Sequence, residues 1–190
     1  DFTFGEPVNI QADFPFLDVA AEAIDCFSAD GLEMYFESWG DRPGGYGGME
    51  LWVCKRASLE DEWGPPENLG VTINSASDEV CASITGDGLE LYFVSSRPEG
   101  YEGSWGDVYV ARRATTSDPW GDAVNVGPKV NSSYGNYQCG VSFDGLELYF
   151  SGSGESGYGG NDIYVSTRAT PNDPWSEPNN LGPAVNGPDN

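Results

Sequence analysis

DGLELYF, at Asp87 to Phe93, returns unchanged at Asp144 to Phe150 and as DGLEMYF at Asp30 to Phe36. The leading aspartates stand 57 residues apart both times, and a fixed period of this length marks a repeat architecture. In the middle copy, EVCASIT (Glu79 to Thr85) leads into Asp87-Gly88, and LELYFVSS (Leu89 to Ser96) leads out of it. Asp-Gly between apolar-rich runs predicts a tight hairpin with positive φ at both turn positions. A loop of Gly, Pro and Tyr follows, then DVYVARR (Asp107 to Arg113), Asp118-Pro119-Trp120-Gly121 and a brief strand at Ala123 to Val126. The third copy has CGVSF, LELYFS, DIYVSTR and Asp173-Pro174-Trp175, and the first has IDCFS, LEMYFES and ELWVCKR.

The expected fold is all-β: units of four short antiparallel strands, with no helical apolar period anywhere. WGPPENLG (Trp63 to Gly70), WGDAVNVG (Trp120 to Gly127) and WSEPNNLG (Trp175 to Gly182) are outer strands, and FGEPVNI (Phe4 to Ile10) is a fourth. The predicted organisation is therefore one array: 1–10 an outer strand of a preceding or partner blade, 11–70 blade 1, 71–127 blade 2, 128–182 blade 3 and 183–190 a tail.

These residues resemble the WD40-like propeller repeats of TolB-type periplasmic and secreted bacterial proteins. The resemblance rests on DGLELYF, the Gly-rich loop before DVYV or DIYV, and the W-G-x-P-x-N-L-G segment. It implies a β-propeller whose innermost strands line a channel, a binding or scaffolding role, and an extracellular or periplasmic site. Propellers close with about 4–8 blades, so three units point to a slice of a longer chain or to a homo-oligomer, ring or filament. A chain opening at Asp1 reads as a mature or excised form.

Composition narrows the partners. Eight basic against 31 acidic residues give a net charge of −23, which repels phosphate backbones and excludes nucleic acid. No apolar run approaches the ~20 residues that span a bilayer, so membrane insertion is excluded too. There is no His, and with it go zinc sites and Ser or Cys hydrolase triads. Cys26, Cys54, Cys81 and Cys139 lack CxxC spacing and leave disulfides and free thiols equally open.

Five groups of residues remain to be placed. Glu33, Glu90 and Glu147 lie nearly opposite Arg56, Arg113 and Arg168 across the hairpins, predicting three cross-strand ion pairs within blades. Glu50, Asp107 and Asp162 begin the third strands; loop capping is the expected role, with calcium as the alternative. Trp39, Tyr46, Tyr101, Trp105 and Tyr158 sit in the Gly-rich loops, as ligand-binding rings or as covers over the gaps between blades. Trp63, Trp120 and Trp175 recur at the inter-blade connections and read as structural. Asn131-Ser132-Ser133 is an N-glycosylation sequon.

No catalytic residue is assigned. The expected function is a secreted, non-enzymatic propeller module binding protein or glycan. The alternatives are a self-assembling structural protein joined head to tail by strand pairing, and a polysaccharide-active enzyme.

Overall fold

The computed structural model describes residues 22–39, 42–101, 105–131, 136–153 and 157–188. The predicted N-terminal outer strand, 1–10, lies outside them. Within them the chain is all-β. Blade 1 holds β1 (Glu22–Phe27), β2 (Glu33–Trp39), β3 (Met49–Lys55) and β4 (Glu67–Asn68). Blade 2 holds β5 (Glu79–Ile84), β6 (Glu90–Ser95), β7 (Asp107–Arg112) and β8 (Val124–Asn125). Blade 3 holds β9 (Asn136–Val141), β10 (Glu147–Gly152), β11 (Asp162–Thr167) and β12 (Asn179–Asn180). Each blade is a separate antiparallel sheet with its strands in sequence order.

The Asp-Gly hairpin differs from its expected form. Ser28, Thr85 and Ser142 accept, through their carbonyls, the amides of Gly31, Gly88 and Gly145, and donate their own to the carbonyls of Glu33, Glu90 and Glu147. Each loop thus contains four residues rather than two. The glycine alone is left-handed, at φ 70° in every copy, because a longer loop needs one such residue rather than a mirror-image turn. The aspartate is ordinary in φ and acts through its side chain. Oδ1 of Asp30, Asp87 and Asp144 accepts the amide two residues on, at 3.0–3.1 Å, and the hydroxyl of Ser28, Thr85 or Ser142, at 2.6–2.7 Å. The serine hydroxyl holds the Asp30 and Asp144 carboxyls below their usual range.

The core lies between blades. Tyr35, Leu51 and Val53 of blade 1, with Ile73 of the connection, pack on Leu91, Phe93, Tyr109 and Trp120 of blade 2. Tyr92, Val94, Val108 and Val110 of blade 2, with Val130, pack on Leu148, Phe150, Tyr164 and Trp175 of blade 3. A smaller cluster of Met34, Phe36, Trp52 and Cys54 closes the opposite face of blade 1. A blade is apolar on both faces and needs a neighbour on each.

The inner strand β5 packs beside both β1 and β9. Register slips in β1 between Ile24 and Cys26 and in β5 between Val80 and Ser83. Cys81, in the second slip, takes φ 58°, the one positive value on a non-glycine among the described residues. Its amide donates to Oε2 of Glu37 across the blade boundary, at 3.0 Å.

Candidate functional site

The Gly-rich loops between second and third strands form one rim, and buried acids fix their shape. Glu50, Asp107 and Asp162 are at most 1 % exposed. Oε1 of Glu50 accepts the amides of Tyr46 and Gly47, while Oδ2 of Asp107 accepts that of Tyr101 at 2.8 Å and Oδ2 of Asp162 that of Tyr158 at 2.6 Å. The amides of Asn68, Asn125 and Asn180 donate to the same acids at 2.6–2.9 Å. These three asparagines accept in turn from Asn74, Asn131 and Asn186.

Each of the latter three closes the series on the third strand. Its amide spans the N–H and C=O of one residue, Leu51, Val108 or Ile163, at 2.8–3.0 Å. The repeat therefore contains a latch, Asn-x-Gly-x-x-x-Asn, that runs from the rim loop through the acid to the next inter-blade connection.

One expectation changes here. Asn131 is fully buried, with its amide hydrogen-bonded to Val108 and Asn125, so the sequon is no glycan acceptor in the folded chain. The three acids do not converge; each faces the N–H donors of its own loop, which a calcium ion would have to displace. Among the described residues no three acidic, Cys or His side chains gather where a metal could sit.

The aromatics carried on these loops stay in solvent. Trp39, Tyr46, Tyr101, Trp105 and Tyr158 are 38–55 % exposed, each ring partly in solvent. Trp39 ends β2 and Tyr46 precedes β3 in blade 1; Tyr101 and Trp105 hold the corresponding loop in blade 2, and Tyr158 in blade 3. All five share the rim that the latches fix.

The opposite rim carries the ion pairs, with different partners from those expected. The residues directly across from Glu33, Glu90 and Glu147 are Lys55, Arg112 and Thr167, one position before the arginines. Side chains alternate along a strand, so a one-residue offset sends Arg56, Arg113 and Arg168 to the other face. Arg113 reaches back to Glu33 of blade 1 through two bonds, 3.1 and 2.6 Å, and Arg168 to Glu90 of blade 2 at 2.5 Å. Each also stacks on its own blade's tryptophan, Trp120 or Trp175, 4.3–4.4 Å from the ring centre. Those indoles meet Tyr35 and Tyr92 of the preceding blade edge-on.

Glu90 takes a second, in-blade partner, Arg112, at 2.7 Å. Arg56 stacks on Trp63 and donates to the carbonyls of Gly31 and Leu59. Neither Arg56 nor Glu147 has an ion-pair partner among the described residues. Two clefts lie along this rim: one of about 300 Å³ between the turns of blades 1 and 2, and one of about 480 Å³ between those of blades 2 and 3.

Near the inner strands, Asp25 has a carboxyl pushed up to about 8 by burial and by the neighbouring charge of Glu37. Its Oδ2 is buried without a hydrogen-bond partner. All four cysteines are free thiols. Burial pushes Cys26 and Cys81 up to about 12 and raises Cys139 as well, which favours the protonated thiol.

No protein-family model matches the chain, and no curated protein does. Among solved structures it is similar to one described as TolB from Agrobacterium tumefaciens, with a TM-score of 0.57 and 12 % identity over 87 % of this chain. The chain spans half the length of that one. No helix among the described residues is long and apolar enough to cross a membrane. At this identity the likeness is one of fold: the chain is an all-β, TolB-like propeller array.

Proposed function

We propose that the chain is a non-enzymatic propeller module of a larger surface or periplasmic protein, and that it binds a protein partner through the aromatic rim. The observation that carries this reading is the exposure of five Trp and Tyr rings on a single rim, on loops whose bases are pinned by buried acids and asparagines. Rigid aromatics contribute large contact area at low entropic cost and dominate binding hot spots. The latches supply the pre-organisation that turns such rings into affinity. The carboxylates nearest to a catalytic arrangement, Glu33 and Glu90, are engaged by arginines of the next blade, which supports a structural role for them. The TolB-like fold supports protein interaction and a periplasmic or extracellular site.

Replacing all five rings by alanine tests the reading. Partner capture by the cross-linked native chain should be lost while the chain still unfolds in one cooperative transition, since each ring is 38–55 % exposed and outside the core clusters. Capture that survives the five substitutions would move the site elsewhere. Binding on a glycan array that disappears with the same substitutions would keep the rim and change the ligand class.

A further inference from the structure

Blades 1 and 2 each lay an arginine over one aromatic pair, and blade 3 has the pair without the arginine. The rings are partners across the second and third strands: Phe36 with Trp52, Phe93 with Tyr109, and Phe150 with Tyr164. Arg42, from the rim loop of blade 1, stands 5.7 and 5.4 Å from its two ring centres. Arg97, from the rim loop of blade 2, stands 5.8 and 4.6 Å from its own. In blade 3 no Lys or Arg lies between Lys129 and Arg168, and the rim loop from Ser153 to Asn161 holds only Ser, Gly, Glu, Tyr and Asn. Lys129 and Arg168 are engaged elsewhere, the first with Glu177, the second with Glu90 and Trp175.

Polar groups beside the third pair lack partners. In blade 2 the charges of Arg97 and Asp107 both act on the Tyr109 hydroxyl, which brings the three groups together at the rim end of the blade. The counterparts of that acid and tyrosine are Asp162 and Tyr164, on the same face of β11 and 1 and 9 % exposed. Oδ1 of Asp162 and the hydroxyl of Tyr164 are both buried with no hydrogen-bond partner, while Oδ2 of Asp162 is taken by Tyr158 and Asn180. Arg97 also uses the Ser95 hydroxyl, the Ile73 carbonyl and Glu79. Blade 3 has Gly152, Val130 and Asn136 at those places, so Asp162 is the acid that remains there among the described residues.

We propose that the rim end of blade 3 receives a guanidinium from outside the chain, an arginine side chain of the protein partner. It stacks on Phe150 and Tyr164 and donates to Oδ1 of Asp162 and the Tyr164 hydroxyl. Arginine fits better than another cation because the fold uses it over this ring pair twice, and because a planar guanidinium stacks while its donors point outward in the plane. The net charge of −23 draws a basic partner. The site adjoins Tyr158, so the inference rests on the reading of the aromatic rim as the partner's site.

The test titrates N-acetylarginine amide onto the native chain and follows the amide resonances of Asp162 and Tyr164. Saturable shifts are expected, with affinity reduced about tenfold by Tyr164→Phe and by Asp162→Asn. Gly154→Arg, at the place of Arg97 counted from the second strand, should abolish the binding and raise the melting temperature by supplying the guanidinium from within. Should Asp162→Asn misfold, the other two variants decide. No saturation, equal binding of N-acetyllysine amide, or binding that Gly154→Arg leaves intact overturns the proposal. Partner capture should also fall with Gly154→Arg. Capture lost with the five rings but kept with Gly154→Arg overturns the inference and leaves the rim reading standing. Capture kept without the rings but lost with Gly154→Arg supports the guanidinium site and removes the rim.

Discussion

Blades 2 and 3 carry the same seven residues, DGLELYF, and differ in what lies against them. Tyr92 is fully buried under Trp175, while Tyr149, in the same rotational place, stands 36 % exposed. Glu90 holds two arginines and the hydroxyl of its own tyrosine; among the described residues Glu147 holds the tyrosine hydroxyl and no arginine. The motif is therefore half of an interface, and its stabilising value depends on the neighbour, as expected of arrays whose units contact only adjacent units. A blade is not a folding unit with a surface; it is one side of two cores.

The largest effect should come from the buried charges joining blades. Arg113→Ala strips Glu33 of its partner in a site where the Arg113 side chain is 3 % exposed, and should cost about 3–5 kcal/mol in urea denaturation. Glu147→Ala, at the equivalent position of the open face, should leave the denaturation curve where it was. Equal losses for the two would erase the distinction between covered and open faces.

Next come the apolar counterparts in the connections. Ile73→Ala leaves a cavity between blades 1 and 2 and should cost about 2–4 kcal/mol. Val185→Ala, at the open end, should shift the melting temperature by no more than an ordinary surface substitution. A large loss at Val185 would show that the far face of blade 3 is covered in solution.

The repeat, the strand order and the rim position of the aromatics were legible in the sequence, because each depends on local pattern: Asp-Gly turns, alternating apolar residues, Gly-rich gaps. The ion-pair partners were not. Reading Glu90 against Arg113 assumed a register one residue off, and the true partner, Glu33, lies 80 residues away in another sheet. A hairpin pattern fixes which residues share a face only if the pairing of the third strand is known, and nothing local specifies it. The latch was visible as Asn-x-Gly-x-x-x-Asn at 68–74, 125–131 and 180–186, yet it straddles the boundary between one unit and the next. Its second asparagine in blade 2, Asn131, therefore read as a sequon. Its burial and its bonds to Val108 are tertiary facts.

That latch gives an intermediate effect. Asn131→Ala leaves the buried N–H of Val108 without its partner and its C=O with the Val126 amide alone, at about 1–3 kcal/mol. The same substitution should also loosen the rim, because Asn125 and Asp107 lose a neighbour in the series that holds Tyr101. Faster exchange at the Tyr101 amide in this variant, beyond that at Tyr158, would confirm that the latch transmits from connection to loop.

The gentlest effect separates blade 1 from the other two at the inner strands. At the repeat position where blades 2 and 3 carry Ala82 and Cys139, blade 1 carries Asp25. Its carboxyl is raised from 3.8 to about 8 by burial first and by Glu37 second. The folded chain consequently holds a proton that the unfolded chain has released over this interval. Its contribution to stability is complete below about pH 4, declines as pH rises, and is lost above about pH 8. Glu37, raised by burial, slopes in the same direction. Asp25→Asn should flatten the decline in melting temperature between pH 5 and 8, leaving the residue that Glu37 supplies. An unchanged slope would mean that Asp25 finds water or a counter-charge, and that the inner strands of blade 1 are as solvated as an open face.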